Sequence, residues 1–127
     1  MNIAIIDSGT KDYENITKGY NFRVKGDNEI IIENNFHDTY GHGTAVYSII
    51  KKNNEECNYY IFKVIDQNDT IDEKIICTAL EYIFNNLDID IINMSLGTVS
   101  LSDDRMYNIC KRLYDKGVIL VSAFDNE

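Results

Sequence analysis

Short, mainly apolar runs alternate along this chain with stretches of helical period. That alternation limits the fold more than any other feature. The runs are Asn2 to Ile6, Tyr59 to Ile65, Asp90 to Met94 and Val118 to Val121. Each is too short for a core helix and lacks polar–apolar alternation, so each reads as a strand buried on both faces. Between them, Ala45, Val46, Ile49 and Ile50 mark one face of a helix running from His42 to near Lys51-Lys52. Ile75, Ile76, Ala79, Leu80, Ile83 and Phe84 mark a second, from Ile71 to about Asn86, with Asp72 and Glu73 in the first turn, where the helix dipole favours them. Met106, Ile109, Cys110 and Leu113 mark a third, capped by Ser102 and left through Gly117 after Lys116. Strands alternating with helices imply an α/β domain in three layers, its mainly parallel sheet covered on both faces. Glu29 to Glu33, with three isoleucines, is a further short strand. Residues 10–28 are polar and without clear period, and read as loop with a short helical piece around Lys11 to Lys18. Asn34 to Tyr40 reads as loop.

At 127 residues, without repeats or a linker, the chain has the size of one domain. Its net charge of -9 argues against nucleic-acid binding, which needs clustered Lys and Arg. No apolar run approaches the length of a membrane span. The opening Met1 to Ile6 is too short for a signal peptide and runs into Asp7, which leads us to expect a cytoplasmic protein. Cys57, Cys77 and Cys110 are widely spaced, so free thiols are expected rather than a zinc site. No Asp-x-Asp-x-Asp-Gly loop occurs, so calcium, though compatible with an acidic chain, can be given no site.

In parallel sheets ligands bind outside the carboxyl ends of the strands. Asp7, Asp66, Ser95 and Asn126 lie at or just beyond those ends. His42, one of two histidines, stands between Gly41 and Gly43 at a helix start, where the dipole disfavours an imidazolium and leaves a neutral base. A carboxylate beside it works the other way. Asp7 at a strand end is placed to be that carboxylate. Taken singly, His42 can also be read as a helix cap, Asp7 as a strand terminator and Asn126 as a turn former. His37 reads as a surface loop residue, and Asp66 as a cap for the loop after it.

Five blocks in order then resemble the subtilisin-like serine proteases. They are Ile5-Ile6-Asp7-Ser8-Gly9, Asp38-Thr39-Tyr40-Gly41-His42-Gly43-Thr44-Ala45-Val46, Lys63-Val64-Ile65-Asp66, Ile92-Asn93-Met94-Ser95-Leu96-Gly97 and Val121-Ser122-Ala123-Phe124-Asp125-Asn126-Glu127. The resemblance spans the chain and implies a Rossmann-like half of a subtilisin-like catalytic domain. It makes Asp7 the triad aspartate, His42 the general base and Asn126 the side-chain donor of the oxyanion hole. Ser95, Leu96 and Gly97 become the backbone that pairs with a substrate peptide like an added strand.

The chain also departs from that family. The Gly-Thr-Ser-Met-Ala type segment that carries the family's nucleophile does not occur. Tyr47-Ser48 stand where Ala-Gly is usual, so the His42 helix must pack differently, and Phe124-Asp125 stand where small residues usually precede the asparagine. A split protease is therefore expected, with the serine on a partner chain, a peptide as substrate and trimming of a peptide precursor as a role. Val118 to Val121 would then be an open edge for the partner's next strand. The alternative is a non-catalytic module that holds a peptide or protein through Ser95-Leu96-Gly97. A phospho-receiver domain fits the length and acidity, but no lysine follows the last strand.

Overall fold

The computed structural model describes residues 1–66, 70–96 and 104–122. Six strands, β1 (Asn2–Asp7), β2 (Ile16–Lys25), β3 (Glu29–Glu33), β4 (Asn58–Lys63), β5 (Ile91–Met94) and β6 (Ile119–Ser122), form one sheet in the order β3-β2-β4-β1-β5-β6. All neighbours run parallel except β2 and β3. Three helices complete the fold: α1 (His42–Lys52), α2 (Glu73–Asn86) and α3 (Asp104–Asp115). It is an α/β fold of the kind a subtilisin-like half-domain requires. Among the described residues no helix is long and apolar enough to cross a membrane.

β1 occupies the middle because its sequence permits burial on both sides. Ala4 and Ile6 face a core with Phe62, Ile76, Leu80, Ile83, Ile92, Met106, Ile109 and Leu113, between the sheet and α2 and α3. Ile3 and Ile5 face a second core with Tyr47, Tyr59 and Ile61, under α1. The second face is covered less completely than the sequence suggests. Beyond β1 on that side, Ile119 and Val121 of the edge strand β6 are 57% and 46% exposed.

Helix ends follow local chemistry. Asp72 caps α2, its carboxylate accepting from the Lys74 N–H. The chain leaves α3 through Gly117, at φ 98°, with Val118 N–H bonding Leu113 C=O and Gly117 N–H bonding Tyr114 C=O. Ser102 lies outside the described residues. Cys57, Cys77 and Cys110 form no disulfide among the described residues.

Two expectations need correction. Residues 16–25 form a strand, not a loop with a helical piece. Only Gly19, Tyr20 and Phe22 are fully buried there, and the remaining polar residues obscure the pattern. Gly19 is required because a Cβ would stand 2.0 Å from the Phe36 ring. The buried face of α1 is also rotated from the expected one. Gly43 and Tyr47 are buried and Val46 and Ile50 half-buried, whereas Ala45 is exposed and Ile49 is 69% exposed. Tyr47 causes the rotation. Its ring packs edge-on against Tyr59 at 5.1 Å, and its hydroxyl donates to the Glu14 carbonyl at 2.5 Å.

Candidate active site

β1 ends at Asp7, and α1 begins at His42 directly above that strand end. His42 Nδ1 lies 2.9 Å and 3.0 Å from the two carboxylate oxygens of Asp7. The Ser8 N–H donates to Asp7 Oδ1 at 2.8 Å. Asp7 is buried, while the His42 side chain is 45% exposed. With the carboxylate ionised, Nδ1 must carry the proton, which leaves Nε2 as the free acceptor on the ring. No hydrogen bond reaches Nε2 among the described residues. Burial pushes the Asp7 carboxyl above its ordinary value, against the hydrogen bonds from His42 and Ser8, and the nearby Asp38 charge adds to the rise.

His42 is held in place from the loop before it. Gly41, the N-cap residue, sits at φ 104° and has no side chain to cap with. Capping comes from elsewhere: Ser8 Oγ accepts from Gly43 N–H at 2.9 Å, and Asp38 Oδ2 accepts from Thr44 N–H at 3.0 Å. Gly43 lies so close to the turn after β1 that a Cβ would stand 2.2 Å from the Gly9 carbonyl. A glycine is therefore required at that contact.

Asp38 is the residue that sequence reasoning missed. Fully buried, it accepts from Ser8 Oγ, the N–H groups of Tyr40, Gly41 and Thr44, and Thr44 Oγ1. Burial alone would raise its carboxyl, but these bonds outweigh it and hold it down to about 2. An aspartate three residues before a left-handed glycine at a helix start was the available signal.

The other candidates divide. Leu96 is buried in the core on the α2 and α3 side, so its side chain does not face outward. Ser95, half-buried, spends its hydroxyl on Asn93 Oδ1 at 2.7 Å. Gly97 and Asn126 lie outside the described residues, as does Asp125. His37 is exposed, as expected of a loop residue, and its Nδ1 meets Tyr13 Oη at 2.6 Å. Asp66 does more than cap a loop. It pairs with the buried Lys63 at 2.6 Å and accepts from Thr39 Oγ1 at 3.2 Å. Lys63 also donates to the His37 carbonyl at 2.5 Å, tying that loop to the end of β4. Among the described residues no group of three or more His, Cys, Asp or Glu is placed to hold a metal ion.

Residues 1–127 match the Subtilase family over their whole length. The chain belongs to that family. It is 31% identical over 136 residues to the minor extracellular protease Epr of Bacillus subtilis (strain 168), covering 100% of this chain and 20% of that protein. It is 29% identical over 134 residues to a thermostable alkaline protease of Halalkalibacterium halodurans, covering 98% of this chain and 35% of that protein. The chain thus spans about a fifth to a third of the length of these curated relatives.

Proposed function

We propose that this subtilase chain supplies the aspartate and the base of a serine endopeptidase whose nucleophile comes from a second polypeptide. The observation that carries the reading is the buried Asp7 carboxylate at 2.9 Å from Nδ1 of a half-exposed His42. In this reading Nε2 of His42 takes the proton of the attacking serine and returns it to the leaving amine. Asp7 holds the productive tautomer and stabilises the imidazolium. Asn126 supplies a hydrogen bond to the developing oxyanion. The backbone at Ser95, Leu96 and Gly97 pairs with the peptide. The inward-turned Leu96 side chain and the internally bonded Ser95 hydroxyl are consistent with recognition through main chain only.

The surface supports a partner. Ile49 on α1 and Ile119 and Val121 on the edge strand β6 are apolar and exposed. A partner adding a strand beside β6 would cover that edge. In this reading the substrate is a peptide, and maturation of a peptide precursor is the role we assign.

The test is fluorophosphonate labelling of co-expressed candidates that carry a Gly-Thr-Ser-Met-Ala type segment. Labelling of the partner serine that requires this chain, and is lost with His42→Ala, is the expected result. A His42→Ala variant that changes neither labelling nor peptide cleavage would refute it. The chain would then be a peptide-binding module without catalysis.

A further inference from the structure

The triad reading uses Asp7 and His42 and leaves Asp38 without a task. We propose that Asp38 is the positioning residue of this site: by gripping the start of α1 it sets His42 Nδ1 against Asp7.

The connections run in two directions from one carboxylate. Asp38 Oδ1 accepts from Ser8 Oγ at 2.8 Å, and that same hydroxyl oxygen accepts from Gly43 N–H at 2.9 Å. Ser8 in turn follows Asp7 and donates its own N–H to the Asp7 carboxylate at 2.8 Å. Asp38 therefore reaches the residues on both sides of the pair, Ser8 beside Asp7 and Gly43 beside His42. Oδ1 also accepts from the N–H groups of Tyr40 and Gly41 at 2.9 Å and 2.8 Å, which shapes the turn into His42. Oδ2 accepts from Thr44 N–H at 3.0 Å and Thr44 Oγ1 at 2.5 Å, on the far side of His42.

The backbone of Asp38 is anchored independently. Its N–H donates to the Thr10 carbonyl at 3.2 Å, and the Thr10 N–H donates to the Phe36 carbonyl at 3.1 Å. The carboxylate thus stands on the turn that follows β1 and holds the helix that follows the loop. Its oxygens accept only, and every group aimed at them is a donor. An amide in its place would turn an NH2 group toward donors and could not satisfy them. The low carboxyl value keeps the charge, and hence the grip, throughout the ordinary pH range.

This inference goes beyond the protease reading and is tested without serine, partner or substrate. The readout is the imidazole of His42, by proton and nitrogen NMR on the 127-residue chain at neutral pH. In the parent, a downfield, slowly exchanging Nδ1–H resonance and nitrogen shifts of the Nδ1–H tautomer are expected. Asp38→Asn should lose that resonance and shift the tautomer toward Nε2–H, while the amide spectrum elsewhere stays dispersed. Ser8→Ala, which removes the hydroxyl that links Asp38 to Gly43 and leaves the other Asp38 bonds in place, should weaken the resonance in the same direction. Tyr47→Phe, which loosens α1 far from its start, should leave it unchanged. A folded Asp38→Asn with the parent's His42 signature would overturn the proposal. If Asp38→Asn does not fold, an unchanged signature in Ser8→Ala overturns it instead. Absence of the resonance in the parent would remove the Asp7–His42 pair itself and with it both readings, whereas failed fluorophosphonate labelling would touch only the protease.

Discussion

Two buried aspartates stand in one site, and their surroundings differ in kind. Asp38 is saturated with donors and its carboxyl is held down to about 2. Asp7 has one backbone donor and one imidazole, and burial holds its carboxyl above the ordinary value. The first environment stabilises the charge; the second tolerates it. A carboxylate saturated by backbone and hydroxyl donors acts as a piece of architecture. One left with an exposed imidazole as its principal partner is available to chemistry. Across that line, the pair also explains why α1 starts where it does: one aspartate fixes the helix, the other uses the residue that the helix presents.

The largest effect that could break this contrast is catalytic. In a reconstituted enzyme, Asp7→Asn should cost about 10⁴-fold in turnover, because the amide favours the wrong imidazole tautomer. Peptide cleavage with and without the substitution checks this, and a loss below about tenfold would place Asp7 with the architectural group. Next in size is Gly43→Ala. Its Cβ would meet the Gly9 carbonyl at 2.2 Å, a backbone atom that cannot rotate away. A loss of about 3 kcal/mol in urea unfolding is expected.

Acid should discriminate between the two carboxyls as well. The folded value of Asp38 lies below the ordinary 3.8, so its contribution is complete above 3.8 and disappears as pH falls toward 2. That contribution is about 2 kcal/mol. Asp7 has the opposite sign: its raised value means that ionisation in the fold opposes stability as pH rises. Stability should therefore be lost more steeply from pH 5 to pH 2 in the parent than in Asp38→Asn, where only the opposing Asp7 contribution of the two remains. Smallest is Tyr47→Phe, which deletes the hydrogen bond to the Glu14 carbonyl and should cost about 1 kcal/mol by thermal unfolding. It loosens α1 at its middle, so it tests whether His42 depends on the helix as a whole or on its first turn.

Much of this was legible in the sequence because the signals were local. β1, β4 and β5 read as mainly apolar runs, and the Asp7 and His42 pair follows from a strand end and a helix start. β2 was not legible, since its inward residues are few and one is a glycine that yields its space to Phe36. Nor was the rotation of α1, because Tyr47 looks amphipathic in sequence and becomes fully buried only through Tyr59 and the Glu14 carbonyl. Asp38 escaped notice for a related reason. Its importance lies in donors contributed by Ser8 and by the backbone two, three and six residues on, rather than in a pattern of apolar side chains. Gly97 and Asn126 fall outside the described residues, and their roles come from the family resemblance.

The contrast between the two aspartates is tested most directly by urea unfolding of Asp7→Asn and Asp38→Asn side by side at pH 7. The account predicts that Asp7→Asn is at least as stable as the parent, since it removes a buried charge that the fold disfavours. It predicts that Asp38→Asn is less stable by about 3 kcal/mol, since buried donors lose their acceptor. An Asp7→Asn variant that loses as much as Asp38→Asn would contradict it.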